Sequence, residues 1–336
     1  MRIAVLENLQ CNAPLADQNA PDRWAELGTQ DGVNGVVDAL KRAGHVAEFF
    51  EGDASLLELL PRFRPDLCFN MCEGHFGESR ECHVPALLEM LRLPYTGAGI
   101  PALALTLDKA MTQQLLTCHG LPTPPRQVFA TRNDVLNPDL HFPLFVKPVR
   151  EGSSKGVTPD SLVRDHEQLR ERVGWIVSAY RQPALVERFI RGREITVGLL
   201  GNCEHLTVLP PFEILLGDTM DAVYTYRIKS STPNGWVAGI NYQCPASLRT
   251  GLAAELERLA RSAFVVTGCR DYARVDFRLD AEDRFRPFIL EVNALPGIVR
   301  EWSDISFEAT AAGMSYDDLI LSILAHASRR WNLTVK

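Results

Sequence analysis

Apolar and polar positions follow two distinct patterns along the first hundred residues. Short apolar runs predict buried strands at residues 2–6, 46–50 and 66–71. Apolar side chains spaced at i, i+3, i+4 and i+7 predict a helix at residues 31–44, and further helices are predicted at residues 55–63 and 84–91. Strands and helices that alternate in this way predict a parallel sheet with helices on both faces. We expect this first domain to end near residue 105.

Beyond residue 105 the pattern predicts further helices, strands and long loops. The predicted helices lie at residues 107–119, 165–180, 248–266 and 316–330, and the predicted strands at residues 144–147, 184–187, 194–200 and 205–209. Gly201 and Asn202 separate the last two strands and suit a two-residue hairpin turn. Polar stretches at residues 8–30 and 217–236 predict long loops, the second of them a mobile lid.

A hairpin predicted at residues 271–297 carries polar side chains on one face. The side chains predicted to share this face are Arg274, Asp276, Ile289, Glu291 and Asn293. If the strands pair antiparallel, Asp276, Glu291 and Asn293 converge into a patch of oxygen ligands. Such a patch is typical of a magnesium site that also holds substrate phosphates. The alternative for this pattern alone is the solvated face of an ordinary hairpin.

A glycine- and serine-rich loop at residues 150–156 directly follows a predicted strand. Its backbone N–H groups and the hydroxyls of Ser153 and Ser154 suit phosphate, although no Walker A motif occurs and a flexible exposed turn explains the loop better on its own. Three lysines in distinctive positions suit the same ligand, and each taken singly is also compatible with a surface lysine. They are Lys109 at a helix start, Lys147 at a strand end and Lys229 in the long loop.

A mixed polar and apolar segment leaves the strand at residues 184–187. It comprises Glu187, Arg188, Phe189 and Ile190, and it suits an adenine slot in which apolar side chains cover the base and polar groups read its edge. Glu194 follows closely and is placed to accept from ribose hydroxyls. The alternative for both glutamates is ordinary solvent-facing charge.

Composition narrows the class of protein. The 336 residues are 46% hydrophobic and 23% charged, as in soluble globular proteins, and the net charge of -7 argues against binding nucleic acid or an anionic membrane through bulk charge. The apolar runs are too short for a membrane span or a signal peptide, so we expect a cytoplasmic protein. Its eight cysteines form no C-x-x-C pair and are expected to be free thiols. A structural zinc site is less favoured than free thiols for the cluster of Cys68, Cys72, His75, Cys82 and His83.

Taken together, these motifs resemble the D-alanine–D-alanine ligases of the ATP-grasp superfamily. The matching segments occur in family order and are Tyr95-Thr-Gly-Ala-Gly99, Leu107-Asp-Lys109, Val146-Lys-Pro148, Glu151-Gly-Ser-Ser154, Glu187 with Glu194, Arg274-Val-Asp276, Glu291-Val-Asn-Ala-Leu-Pro-Gly297 and Gly313-Met-Ser-Tyr316. The resemblance implies an α/β (α+β) protein with the ATP-grasp fold. Its parts would be an N-terminal Rossmann-like parallel-sheet domain at 1–105, a central small α/β domain at 106–190 and a C-terminal ATP-grasp domain with the metal site at 191–336.

The resemblance also implies an activity and a role for each matching residue. The chain would be a carboxylate–amine ligase that uses ATP and Mg²⁺, with Mn²⁺ as a substitute ion, works through an acyl phosphate and acts as a homodimer on small amino-acid substrates. The implied ATP contacts are Lys109, Lys147, Ser153, Ser154, Glu187, Arg188, Phe189, Ile190, Glu194 and Lys229, and the implied magnesium ligands are Asp276, Glu291 and Asn293. Arg274 would stabilise the oxyanion, and Gly297 would offer a backbone contact to the substrate.

Departures from the family pattern concentrate on the amino-acid pocket. The glycine-rich segment after the first strand is replaced by Glu7-Asn-Leu-Gln-Cys11. The family's His-Gly-x-x-Gly-Glu-Asp-Gly segment becomes Glu73-Gly-His-Phe-Gly-Glu-Ser-Arg80, and the segment after Gly297 is Ile298-Val-Arg-Glu-Trp-Ser303. The candidates for substrate selection are Glu7, Glu73, Glu78, Arg80, Arg300 and Ser303. One alternative is therefore a ligase of other amino acids or a specialised peptide. The second alternative is a nucleotide-binding regulatory protein without activity.

Overall fold

The computed structural model describes residues 1–14, 20, 22–217, 223–225 and 241–334. The first of its three sheets is parallel, with strand order β2-β1-β3, as predicted. Its strands are β1 (Arg2–Glu7), β2 (Val46–Glu51) and β3 (Leu67–Asn70), and the helices of this part are α1 (Gln30–Arg42), α2 (Leu56–Phe63), α3 (His83–Met90), α4 (Ile100–Leu107) and α5 (Lys109–Cys118). Alternate β1 side chains enter different cores: Ile3 packs in the core that includes α1, and Leu6 packs with α2 and α3.

The boundary between α4 and α5 differs from the predicted helix at residues 107–119. Leu107 ends α4, and Asp108 caps α5 because its carboxylate accepts from the Met111 N–H at 2.9 Å. The sequence of α4, IPALALTL, is apolar on all sides and has no polar face. A helix without a polar face leaves no 3.6-residue period to detect, which is why the pattern missed it.

The second sheet is antiparallel and small. Its order is β4-β7-β5-β6, with β4 (Arg126–Phe129), β5 (Leu144–Pro148), β6 (Leu162–Val163) and β7 (Ala184–Arg188). Helix α6 (His166–Tyr180) covers it, and its Val173 and Ile176 pack against Val146 and Val186. The end of β5 and the end of β7 thereby carry Lys147 and Glu187 side by side.

The third sheet is antiparallel and contains the predicted hairpin. Its order is β11-β10-β8-β12-β13 with β9 paired to β8. The strands are β8 (Gly192–Gly201), β9 (Thr207–Val208), β10 (Phe212–Leu215), β11 (Asn241–Gln243), β12 (Asp271–Asp280) and β13 (Arg286–Asn293), and the helices are α7 (Thr250–Thr267), α8 (Asp304–Ala311) and α9 (Tyr316–Arg330). Within the described ranges, no helix has the combination of length and apolar character needed to cross a bilayer.

The connection from β8 to β9 is not the predicted two-residue turn. A short 3-10 helix, Cys203–His205, separates the two strands. The Asn202 side chain instead makes a tertiary contact, because its amide donates to Asp271 Oδ1 at 2.8 Å and its oxygen accepts from the Asp271 N–H at 3.0 Å. That long-range pair has no local sequence signal.

The register of the β12–β13 hairpin places the predicted polar residues together but corrects the face predicted for Ile289. Asp276 faces Glu291, and a register shift then places Phe277 opposite Ile289. The prediction that Ile289 shares the face of Glu291 is wrong, because the bulge turns it into the core, where it is 0% exposed. The same bulge leaves the Leu290 carbonyl free to accept from Gln113 Nε2 at 2.8 Å.

A carboxyl group is buried between α8 and β8. Glu308 is 0% exposed, and within the described residues neither of its oxygens has a hydrogen bond of normal geometry. Gly198 on β8 leaves room for it, since a Cβ there would overlap the carboxyl group. Burial raises the pKa of Glu308 well above its ordinary value of 4.5, the charge of Asp304 raises it further, and Arg274 opposes this only in part.

We therefore expect the Glu308→Gln variant to change how stability depends on pH. A carboxyl group whose pKa is raised in the folded state contributes stability at pH values below about 4.5, the pKa in the unfolded chain. That stability is lost as the pH rises through the folded-state pKa, because the unfolded chain releases its proton at lower pH. Glutamine has no proton to release. Between pH 5 and pH 8 the free energy of unfolding of the variant should therefore increase relative to that of the wild type. Urea titrations at several pH values measure this. Glu58→Gln, at an exposed position, is the control, and a pH-independent difference would contradict the expectation.

Candidate active site

Two cavities adjoin where the three sheets meet. The larger has a volume of about 1130 Å³ and the smaller about 120 Å³. Lys109, Glu291 and Gly152 line both, so one set of side chains forms the junction. A large cavity of mixed polarity beside a small, mainly apolar one offers room for two small substrates next to a nucleotide base.

The structure brings most of the predicted site residues to these cavities. The smaller cavity is lined by Lys109, Lys147, Ser154, Glu187, Arg188, Phe189, Ile190, Glu194, Asp276 and Glu291. The larger is lined by Glu7, Glu73, Lys109, Ser153, Arg274, Glu291, Asn293, Gly297, Arg300 and Ser303. Lys229 lies outside the described residues, as does most of the predicted lid at 217–236.

Asp276 is the centre of the polar network on the hairpin. Both of its oxygens lie 2.8 Å from the Arg274 guanidinium, in a bidentate pair. It also accepts from Thr196 Oγ1 at 2.6 Å and from the Asn293 amide at 3.0 Å. Burial alone would raise the pKa of Asp276, but Arg274 outweighs that effect and holds the pKa well below its ordinary 3.8. The carboxylate is therefore charged and fixed in place.

Lys109 and Lys147 each hold a carboxylate. Lys109 Nζ lies 2.8 Å from Glu291 Oε2 and 2.5 Å from the Glu151 carbonyl oxygen. Lys147 Nζ lies 2.8 Å from Glu187 Oε2. Gln113, one helical turn after Lys109, donates to Glu187 Oε1 at 2.5 Å. The i, i+4 spacing of Lys109 and Gln113 is a signal that sequence reasoning passed over.

Aromatic and apolar groups shape the smaller cavity. The rings of Phe145 and Phe189 stack with centroids 6.1 Å apart, and the Arg278 guanidinium lies 4.8 Å from the centroid of Phe189. Ile190 is 2% exposed beside them. Arg188 turns toward Asp280, with its guanidinium 2.9 Å from the carboxylate. These groups leave a flat apolar slot with charged groups at its rim.

The glycine- and serine-rich loop has the backbone of an anion-binding turn. Ser153 and Ser154 adopt left-handed φ values of 48° and 57°, and Gly156 has φ 70°. Successive residues of this kind turn their N–H groups toward a common concave side. Two of the loop N–H groups are already occupied, because Gly152 donates to Glu26 and Gly156 donates to Asp22, the latter at 2.8 Å.

The two acidic residues that hold this loop come from the stretch predicted only as a long polar loop. Glu26 Oε2 lies 2.6 Å from Lys155 Nζ and 2.8 Å from Arg80. Asp22 also accepts from Tyr180 at 2.7 Å. Burial would raise the pKa of Glu26, but Arg80 and Lys155 together hold it well below its ordinary 4.5. No period or motif marks these residues, so the contact could not be predicted from the sequence.

Two residues predicted for substrate selection lie elsewhere. The Arg80 side chain is 8% exposed and bonds to Glu26 and Glu151, and it lines neither cavity. The Glu78 side chain is 81% exposed and lies 3.3 Å from Arg150. Arg80 therefore supports the glycine- and serine-rich loop through Glu26 and Glu151, and Glu78 lies at the surface.

Replacing Lys155 by methionine is expected to cost about 3 kcal/mol of stability, because it leaves two buried carboxylates short of a cation. Lys155 is 4% exposed and lies 2.5 Å from Glu151 and 2.6 Å from Glu26. The cost should be present above about pH 4.5 and shrink at lower pH, because the depressed pKa of Glu26 contributes stability that is lost as the group protonates. Urea unfolding measures it. The exposed Lys41→Met is the control, and equal losses in both variants would refute the expectation.

Comparison with known proteins places these features in a family. A family model described as the D-ala D-ala ligase C-terminus matches residues 115–325. The chain is 40% identical over 321 residues to the uncharacterized protein y4sG of Sinorhizobium fredii, covering 93% of this chain and 90% of that protein. It is 37% identical over 296 residues to the D-alanine–D-alanine ligase of Bordetella avium, covering 88% of each.

The fold comparison agrees with the sequence comparison. The crystal structure of D-alanine–D-alanine ligase from Bacillus anthracis complexed with ATP superimposes with a TM-score of 0.74 at 22% identity, covering 99% of each chain. The predicted ATP-grasp fold, with its mixed helices and sheets, is confirmed. The chain belongs to the D-alanine–D-alanine ligase family of ATP-dependent ligases.

Proposed function

We propose that this ligase uses ATP and Mg²⁺ to join the carboxylate of one amino acid to the amine of another through an acyl phosphate. The observation that carries the proposal is the fixed polar network of Arg274, Asp276 and Glu291 at the junction of the two cavities. In this reaction the carboxylate oxygen attacks the γ-phosphorus of ATP and ADP leaves. The amine then attacks the acyl carbon, a proton is lost, and phosphate leaves with the oxygen it gained.

The donor set on the hairpin fits a magnesium ion. Asp276 and Glu291 lie opposite each other on the paired strands. Two adjacent carboxylates and the amide oxygen of Asn293 form the oxygen-rich set that a hard cation prefers. Magnesium bound there would neutralise charge on the ATP phosphates. Asp276, Glu291 and Asn293 are the proposed ligands.

The lysines and the serine loop are proposed to hold the ATP phosphates. Lys109 at the junction and Lys147 in the smaller cavity present fixed positive charge where negative charge would spread over the transferring phosphoryl group. The left-handed turn at Ser153 and Ser154 supplies hydroxyl and N–H donors. Lys229 is proposed to add a third lysine. The slot at Phe189 is proposed to take adenine between apolar faces.

Arg274 is proposed to stabilise the oxyanion. Its guanidinium is held in position by Asp276 and lies 3.4 Å from Asp304, and the side chain also borders the larger cavity. A rigid cationic fork beside the reacting carbonyl needs little reorganisation when negative charge develops on oxygen. The larger cavity is therefore proposed as the amino-acid pocket.

The amino-acid pocket favours substrates other than D-alanine. Glu7 and Glu73 line it where the family pattern departs, and Gly297, Arg300 and Ser303 line its other side. Ser303 Oγ accepts from the Val299 N–H at 2.9 Å and so shapes the divergent loop. Because these lining residues depart from the family pattern, we propose a specialised amino-acid pair.

A substrate panel tests the proposed function. The purified chain is incubated with ATP, Mg²⁺ and pairs of D- and L-amino acids, with ADP release measured and products identified by mass spectrometry. Release of ADP together with a condensed product from at least one pair is the expected result. ATP binding without ADP release for every pair would favour the regulatory protein instead.

We further propose the division into parts at 1–105, 106–190 and 191–336, a homodimer and a cytoplasmic location. Each of the three ranges contains its own sheet. Exposed apolar side chains on α2 and α3, including Leu57 and Met90, support a self-association surface. The eight cysteines are free, as in a reducing compartment. Light scattering of the purified chain tests the dimer.

A further inference from the structure

The lining of the larger cavity includes three carboxyl groups that take no part in the proposed phosphoryl transfer and amide formation. Glu7 and Glu81 are 8% and 9% exposed, and Glu73 is half-buried beside them. Burial raises the pKa of all three, that of Glu81 to about 7, and the charges of Glu81 and Glu7 raise the pKa of Glu73 further. In the described part of the chain, no lysine or arginine pairs with Glu73 or Glu81 within salt-bridge distance. A cation bound near these three carboxyl groups would stabilise their charged forms.

The Glu7 carboxyl is held in position by its surroundings. Its Oε1 accepts from the Asn8 N–H at 2.8 Å. Gly28 lies against the same carboxyl group, since a Cβ at that position would lie 2.7 Å from Oε2. The glycine thus leaves the space that the Glu7 carboxyl occupies. One carboxyl oxygen is anchored by a hydrogen bond and the other packs against Gly28, so the group is fixed in the cavity wall.

A phenol points to a ligand in the same place. Tyr272 is 0% exposed and lines the larger cavity, and its hydroxyl has no hydrogen-bond partner among the described residues. Burial raises the pKa of Tyr272, and the nearby charges of Glu73 and Glu7 raise it further, so the phenol is neutral. A buried hydroxyl without a partner is costly, and a bound polar group would satisfy it.

The charge of the whole cavity agrees with a cationic ligand. Its described lining contains eight acidic and three basic side chains. Each basic side chain is already paired: Lys109 with Glu291, Arg274 with Asp276, and Arg300 with Asp317. Among the described residues no group of three carboxylates, histidines or cysteines is arranged to hold a metal ion.

We propose that one of the two amino-acid substrates carries a second ammonium group on its side chain, bound by Glu7, Glu73 and Glu81 with the Tyr272 hydroxyl as a further acceptor. An ammonium group has three N–H donors, which these oxygens satisfy. The substrate class is a diamino acid of the ornithine or lysine type. This assignment rests on the proposed ligase function and specifies its substrate.

Calorimetry with a matched pair of amino acids tests the proposal. Ornithine and norvaline have the same carbon chain and differ in the terminal ammonium, so each is titrated, as both enantiomers, into the full chain with Mg²⁺ and a non-hydrolysable ATP analogue. We expect one ornithine enantiomer to bind at least about tenfold more tightly than norvaline, the scale of one charge-assisted hydrogen bond. Equal affinities for the two would overturn the proposal, and 1,4-diaminobutane binding as tightly as ornithine would overturn the assignment to an amino acid.

Variants separate the subsite from general effects. Glu73→Gln keeps the shape and removes the charge, so it should weaken ornithine about tenfold, leave norvaline unchanged and raise KM more than it lowers kcat. Tyr272→Phe removes only the unpartnered hydroxyl and should weaken ornithine without unfolding the chain. The exposed Glu58→Gln is the control and should change neither. An equal loss for both amino acids in Glu73→Gln would contradict the subsite.

The ligase function and the ammonium subsite can be refuted separately. If ADP and product form only with neutral amino acids, the ligase function stands and the ammonium subsite falls. If no amino acid releases ADP, the ligase function falls, and the calorimetric comparison of ornithine with norvaline still decides the subsite.

Discussion

The Glu291→Ala variant is expected to lose ATP-dependent turnover by at least about 10³-fold while the chain stays folded. Loss of a proposed magnesium ligand removes several kcal/mol of charge stabilisation from phosphoryl transfer. It also frees Lys109 from its 2.8 Å ion pair, which disturbs the junction of the two cavities. The measurements are steady-state ADP release over a magnesium titration and the circular dichroism of the variant.

The control for this variant lies on the same hairpin. Glu282 is in the turn between the two strands, with a side chain 65% exposed, and Glu282→Ala should retain wild-type turnover. A chelator should reproduce the effect of Glu291→Ala in the wild type, and added magnesium should reverse it there. Wild-type turnover in Glu291→Ala would refute the assignment of Glu291 as a magnesium ligand.

The Arg274→Lys variant is expected to lower the rate of amide formation by about 10²- to 10³-fold, the scale seen when one oxyanion donor is removed. Lysine keeps the charge but has no planar fork, so the bidentate pair with Asp276 at 2.8 Å is lost. Phosphoryl transfer should suffer less, because Lys109 and Lys147 remain. The acyl phosphate would then have time to hydrolyse, so more than one ADP should appear per product.

The ratio of ADP to condensed product measures this uncoupling directly. Arg274→Met serves as a companion variant, since it leaves the Asp276 carboxylate without its cation and should cost about 3–5 kcal/mol of stability at neutral pH. That cost should shrink toward low pH, because the pKa of Asp276 is depressed in the folded state and its contribution is lost as the group protonates. A one-to-one ratio at the wild-type rate in Arg274→Lys would exclude the oxyanion role.

The hairpin and its polar face could be predicted because they depend on local spacing. Asp276 and Glu291 belong to strands with period-two alternation, and the antiparallel pairing follows from their separation in the chain. Ile289 could not be predicted, because a bulge shifts the register by one residue and nothing in the period marks where it falls. Helix α4 was missed for the opposite reason, since it is apolar on every side.

Contacts between distant segments could not be predicted from the pattern of apolar and polar residues. Glu26 and Asp22 hold the glycine- and serine-rich loop more than a hundred residues away, and neither lies in a periodic or motif-bearing segment. The departures around Glu7 and Glu73 could be noted from the sequence. Their convergence with Glu81 and Tyr272 on one cavity required the fold, because these residues lie on different strands and turns.

The central claim is that the substrate carboxylate attacks the γ-phosphate of ATP and so forms an acyl phosphate. An amino acid labelled with ¹⁸O in its carboxylate, used with the partner that the substrate panel identifies, tests this directly. If the claim holds, each phosphate released during product formation contains one ¹⁸O atom, because the attacking oxygen leaves with phosphorus when the amine displaces it. Condensed product accompanied by phosphate free of ¹⁸O would contradict it.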